Sequence, residues 1–387
     1  MSINKMFKKV LAVVAAGAMT MGMAMPTFAA DEGKTTEAWI TKTYNTEVGK
    51  AEKFSFTAEQ VKTGTGIITT DAAVTMPEIS FTNTETGKIS KRSQITFPTY
   101  PEAGKYEYTV TETQTADPIV ANSEHEKMIM SQAEYTMDVY VTDGATGTEI
   151  SNIVVNKVKD DAGQTATGKV DIGNTDTNRF NFTNTYVQEA GTGTDPTNPD
   201  PIYNQFGSLN VSKKIVNANG TATTPDDEFA FTATFAFPTG TDANTLGGIK
   251  GIKDANEDAV TLAEGGTYTF NLKANENMKF TGVPVGTTIT VKESAAKNYK
   301  GSAEITINGT KLTPVAATSY NTEFTVVNSQ NSQKLGQKQN TVDVTNTYND
   351  VPVTGIIMNT LPYVLMIALC GVALIAFVGF KRRRLQK

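Results

Sequence analysis

The chain has 387 residues, with 34 Lys and Arg against 40 Asp and Glu, one His and one Cys. All 40 acidic residues lie between Asp31 and Asp350, where only 26 basic residues accompany them; this net of −14 excludes a nucleic-acid binder. A lone His125 and a lone Cys370 leave no disulfide framework, no familiar nucleophilic triad and no zinc set, so neither a cofactor nor a metal is expected.

Residues 1–29 carry Lys5, Lys8 and Lys9, then an apolar run, then small residues, the pattern of a secretory signal peptide cut after Ala29. From 37 to 186 the chain alternates apolar and polar residues in short runs such as KFSFTAEQV (53–61), KYEYTVTE (105–112), AEYTMDVYV (133–141) and FNFTNTY (180–186), which predict half-buried strands. Residues 187–206 hold Gly and Pro without a period and read as a linker. Strands resume over 207–349, with SLNVSKKIV (208–216), FAFTATFAF (229–237), TTITVKE (287–293) and VDVTNTY (342–348). The fold class is all-β: two tandem sandwiches, with single helical turns allowed only at 124–132 and 274–279. VPVTG (351–355) follows, then a largely apolar stretch over 356–380 long enough to cross a bilayer, then the basic tail 381–387, expected to stay cytoplasmic. Everything between the two ends is expected outside the cell.

Strand parity singles out six polar residues. Lys42 shares a face with Ile40, Glu112 with Tyr106, Tyr108 and Val110, and Asn184 with Phe180 and Phe182. In the second sandwich Lys213 shares a face with Leu209 and Val211, Glu293 with Ile289 and Val291, and Asn346 with Val342 and Val344. Each domain therefore sends a lysine, a glutamate and an asparagine inward, in that chain order. Lys214 has the opposite parity and should face water, and Asn83 in ISFTNTETG imitates the closing phrase but precedes YTVTE and reads as a turn. Burying such a set is costly unless its members pair. One reading is a buried hydrogen-bonded network. The other is a reaction: a desolvated, neutral amine attacks the Asn carboxamide, a desolvated Glu relays protons, ammonia leaves, and an amide joins first strand to last.

ITKTY, YTVTE and FTNTY, with NVSKK, ITVKE and VTNTY, resemble the isopeptide-forming domains of Gram-positive pilins and surface adhesins, most closely the pilin isopeptide-linkage domain of shaft pilins. The resemblance implies immunoglobulin-like, CnaB-type sandwiches, a Lys42–Asn184 bond catalysed by Glu112, and a Lys213–Asn346 bond catalysed by Glu293. VPVTG resembles an LPxTG-type sortase signal, with Val351 where Leu is usual, followed by Pro352, Val353, Thr354 and Gly355; cleavage is implied between Thr354 and Gly355. The implied partners are a sortase, identical subunits in a covalent polymer, peptidoglycan, minor pilins and a host surface ligand, on a protein secreted and anchored to the cell wall. The implied function is that of a structural, non-enzymatic pilus subunit, the alternative being a monomeric wall-anchored adhesin that binds a host protein or glycan. No Tyr-Pro-Lys-type motif marks the lysine that joins subunits; Lys157, Lys159 and Lys169 lie in the corresponding region. His125, between Glu124 and Glu126, reads as a surface residue.

Overall fold

A computed structural model describes residues 34–328 and 334–349. The signal peptide (1–29), the VPVTG stretch (351–355), the apolar segment (356–380) and the tail (381–387) lie outside the described residues. Among the described residues no helix is long and apolar enough to cross a membrane.

The described residues are all-β but for one short helix, Pro201–Phe206. In the first domain the opening strand Trp39–Thr46 lies between Gly87–Gln94, antiparallel, and the closing strand Asn181–Gln188, parallel; Glu126–Ile129 pairs with the far edge of the closing strand. The opposing sheet runs Thr165–Val170, Gly147–Lys159, Glu134–Gly144, Gly104–Glu112 and Phe56–Gln60. The second domain repeats the plan. Leu209–Val216 lies between Asn277–Thr281 and the closing strand Thr341–Tyr348, again parallel, with Tyr299–Ile307 beyond it. Thr267–Leu272, Phe229–Ala236, Thr288–Glu293 and Phe324–Val327 form the second sheet. First and last strands of each domain are thus central, parallel neighbours, although almost the whole domain separates them in sequence.

Alternation puts Tyr106, Tyr108, Val110, Tyr135, Phe180 and Phe182 in one core, and Phe229, Phe231, Phe280, Ile289, Val291, Val342 and Val344 in the other. Each such side chain contributes about 1.5–3 kcal/mol by leaving water. The opening strand is more enclosed than alternation alone requires. Its outward residues Thr41, Thr43 and Asn45 are buried too, and polar side chains pair across the strands there: Thr43 donates to Asn181, and Asn45 donates to Thr185.

Three features differ from the sequence reading. Residues 126–129 and 277–281, each within or overlapping a stretch read as a helical turn, are strands; Glu126 and Met128 alternate inward, and the Tyr186 hydroxyl donates to the Glu126 carboxylate at 2.7 Å. The stretch read as a linker is held firmly over its first residues. Residues 187–193 are buried, the Ala190 and Gly191 amides donate to the Val283 and Gly336 carbonyls, and the Val285 amide donates to the Gln188 carbonyl. Gly191 is required there: its φ is +82°, and a Cβ would lie 2.3 Å from the Gly207 carbonyl oxygen. His125 is not a simple surface residue. Its Nδ1 lies 2.6 Å from Oε2 of Glu189, itself 2% exposed, while Glu189 Oε1 accepts hydrogen bonds from the Tyr203 hydroxyl, the Ser208 hydroxyl and the Gly282 amide. One carboxylate thereby gathers groups from both domains and from the segment between them.

Candidate functional site

The parallel pairing sets the geometry. Lys42 stands opposite Phe182 and Asn184 opposite Tyr44, so the lysine and asparagine are diagonal neighbours on the inward face. In the second domain Lys213 stands opposite Val344 and Asn346 opposite Ile215, the same two-residue offset. The glutamate arrives from the opposing sheet, Glu112 paired with Phe56 and Glu293 with Phe231 and Phe324. All six residues are at most 3% exposed.

In both domains one glutamate oxygen touches both partners. Glu112 Oε1 is 2.6 Å from Lys42 Nζ and accepts a hydrogen bond from Asn184 Nδ2 at 3.1 Å. Glu293 Oε1 accepts from Lys213 Nζ at 2.6 Å and from Asn346 Nδ2 at 2.7 Å. Aromatic rings pack against the amines: Lys42 Nζ lies 4.5 Å from the Phe54 ring centre, and Lys213 Nζ lies 4.2 Å from Phe229 and 5.6 Å from Phe231.

This burial changes the chemistry of both amines and of Glu112. Desolvation lowers both lysines from the ordinary value near 10.5 to about 8, against the opposing pull of Glu112 on Lys42 and of Glu293 on Lys213. Desolvation also raises Glu112, opposed by Lys42 and by the Asn184 hydrogen bond. An amine near 8 has a substantial neutral fraction at physiological pH, whereas a solvated lysine has almost none. The shared oxygen lies between the nitrogen that must lose a proton and the nitrogen that must gain one, so it can carry that proton from attacking amine to departing ammonia. Enforced contact supplies an effective concentration on the order of 10⁵ M or more.

Parity did not identify the aromatic lids or Ser131. The Ser131 backbone amide donates to Asn184 Oδ1 at 2.7 Å, from a stretch that the sequence reads as a helical turn. Lys214 is exposed, and Asn83 occupies an exposed turn. Of the subunit-joining candidates, Lys157 sits over the Tyr135 ring and Lys159 pairs with Glu134 at 2.7 Å. Lys169 is exposed on the edge strand Thr165–Val170.

Residues 38–187 match the family model of the Spy0128-like isopeptide containing domain (FctA), and residues 207–348 match a domain of unknown function (DUF7601). No curated protein matches the chain. Among solved structures the chain is similar to the major pilin protein T3.2 from Streptococcus pyogenes serotype GAS13637, at 22% identity over 82% of this chain and 100% of that one, with a TM-score of 0.30. It is also similar to the major pilin from Streptococcus pyogenes, at 18% identity over 81% and 99% with a TM-score of 0.32. A third likeness is to the pilus-presented adhesin Spy0125 (Cpa), at 10% identity over 82% and 100% with a TM-score of 0.24. At TM-scores this low the solved structures do not bear on either site; the family match does, for the first domain. The match to the Spy0128-like isopeptide containing domain covers the first domain, the one in which Lys42, Glu112 and Asn184 meet away from water.

Proposed function

We propose that the chain is the structural subunit of a sortase-assembled pilus shaft, and that each of its two immunoglobulin-like, CnaB-type domains locks itself with an amide. The pairs are Lys42–Asn184, with Glu112 as proton relay, and Lys213–Asn346, with Glu293. The observation that carries this reading is the duplicated set: in two domains of different sequence, one buried carboxylate oxygen bridges a lysine and an asparagine on adjacent first and last strands. Each reaction occurs once per molecule, so the chain is a substrate of its own fold and not a turnover enzyme. The mechanical purpose follows from the strand order. In the second domain tension enters at the first strand, from the linker, and leaves from the last, and an amide between them carries the load before the sheet can shear.

On this reading VPVTG is the sorting signal. Sortase joins Thr354 to an amine of the next subunit, or to peptidoglycan for the last one, and the apolar segment holds the precursor at the membrane until then. Lys169 is the favoured acceptor, because it is exposed on a sheet edge while Lys157 and Lys159 are engaged. Wall extracts boiled in detergent and blotted for this protein should show a high-mass ladder that Lys169→Arg abolishes. A single band from the unaltered strain would instead indicate the monomeric wall-anchored adhesin.

A further inference from the structure

The two sites differ at the oxygen that must take up charge. In the first domain Asn184 Oδ1 accepts the Ser131 backbone N–H at 2.7 Å, both residues being at most 1% exposed. In the second domain Asn346 Oδ1 is equally buried and has no hydrogen-bond partner among the described residues. The Ser131 peptide is itself clamped. Its hydroxyl donates to Asp161 Oδ1 at 2.6 Å and accepts from the Ala133 amide at 3.1 Å. The same Asp161 oxygen accepts from the Thr183 amide at 2.8 Å, one residue before Asn184. Gln114 Nε2 donates to the Ser131 carbonyl at 2.9 Å, and the Gln132 amide donates to the Asp161 carbonyl at 3.0 Å. A short non-strand segment is thus fastened to the closing strand with its N–H aimed at the carboxamide oxygen.

We infer that the Ser131 N–H is an oxyanion donor for amide formation in the first domain, that Ser131 Oγ and Asp161 are its positioning residues, and that the second domain reacts without such a donor. The inference rests on the Lys–Asn reaction proposed above. As Lys42 Nζ bonds to Asn184 Cγ, electrons move onto Oδ1, where the N–H donation strengthens. The Cγ–Nδ2 bond then breaks, the proton lost by Nζ passes through Glu112 Oε1 to Nδ2, and ammonia departs. A preorganised donor at such an oxygen is worth roughly 10²–10³ in rate.

The test is a pulse of cell-free synthesis of the full chain, quenched in denaturant at intervals, digested, and scored by mass spectrometry for the linked Lys42–Asn184 and Lys213–Asn346 peptides. The second domain serves as the internal clock. Ser131→Ala, which keeps the N–H but frees it from Asp161, should slow the first linkage about tenfold or more and leave the second unchanged. Ser131→Thr, which keeps the hydroxyl, should restore the rate. The fall should be the same at every pH, because no charge has been removed. A segment that merely loosened and admitted water would instead move the rate's pH midpoint upward, toward that of a solvated lysine, and that result would overturn the inference. So would a Ser131→Ala rate equal to that of the unaltered chain. Complete absence of the Lys42–Asn184 peptide from the unaltered chain would overturn the parent reading instead, so the two failures are distinguishable.

Discussion

Replacing Lys213 by Met removes the amine while keeping an unbranched stem against Phe229 and Phe231. Asn346 lies 133 residues beyond Lys213, so the lost bond had closed nearly the whole second domain. The chain-entropy relation for a crosslink of that span gives about 5 kcal/mol at room temperature. A domain of this length unfolds with an entropy of roughly 0.3 kcal/mol per kelvin, so the melting temperature of the second domain should fall by about 15 °C or more. Differential scanning calorimetry of the purified exterior reads this directly, with the first domain's transition as internal reference. A Lys213→Met transition within a few degrees of the unaltered protein would refute the reasoning, since no crosslink of this span could be lost so cheaply.

Two further outcomes follow from groups outside the reacting sets. Glu52 is buried, neither carboxylate oxygen has a hydrogen-bond partner among the described residues, and burial raises it from about 4.5 to about 7, with Lys50 opposing the shift and Asp117 and Glu126 adding to it. Its contribution to stability is therefore present below about pH 4.5 and lost as pH rises through about 7, because the folded state then has to ionise a carboxyl that the unfolded state ionises earlier. Thermal scans across that window should show the first domain weakening with rising pH, and Glu52→Gln should flatten the trend and raise stability at its alkaline end; an unchanged slope would contradict this assignment. Glu189→Gln should loosen the join between the domains while leaving each domain's melting in place. Hydrogen exchange should quicken at the Ala190, Gly191 and Val285 amides, and His125, held above its ordinary value chiefly by its hydrogen bond to Glu189, should titrate lower. Unchanged protection at those amides would show that the carboxylate does not hold the interface.

What the sequence made legible is what a period of two can encode. Lys213 and Lys214 are adjacent, yet one is buried and the other exposed, as their parity requires. Asn83 copies the closing phrase but sits in an exposed turn, and its place in chain order was enough to set it apart. How the linker is held was not legible because it is fixed through backbone hydrogen bonds to the loop residues Val283, Val285 and Gly336 far along the chain, and such bonds leave no side-chain period. His125 was misread for a related reason: its chain neighbours are Glu124 and Glu126, whereas the partner that holds it is Glu189, 64 residues away. Glu126–Ile129 is too short for its alternation to stand out, and it takes the Tyr186 hydroxyl and the Lys50 ammonium on Glu126 to explain why a glutamate there points inward. Ser131 acts through its backbone N–H, which no residue identity can announce.

The most direct measurement is the intact mass of the purified exterior, followed by sequencing of its linked peptides. Two amides formed with loss of ammonia place the protein about 34 Da below its formula mass, about 17 Da for each bond. The linked peptides should join Lys42 to Asn184 and Lys213 to Asn346, and Glu112→Ala and Glu293→Ala should each restore one increment. A protein at full formula mass, with Lys42 and Lys213 both free in the digest, would contradict the account in both domains.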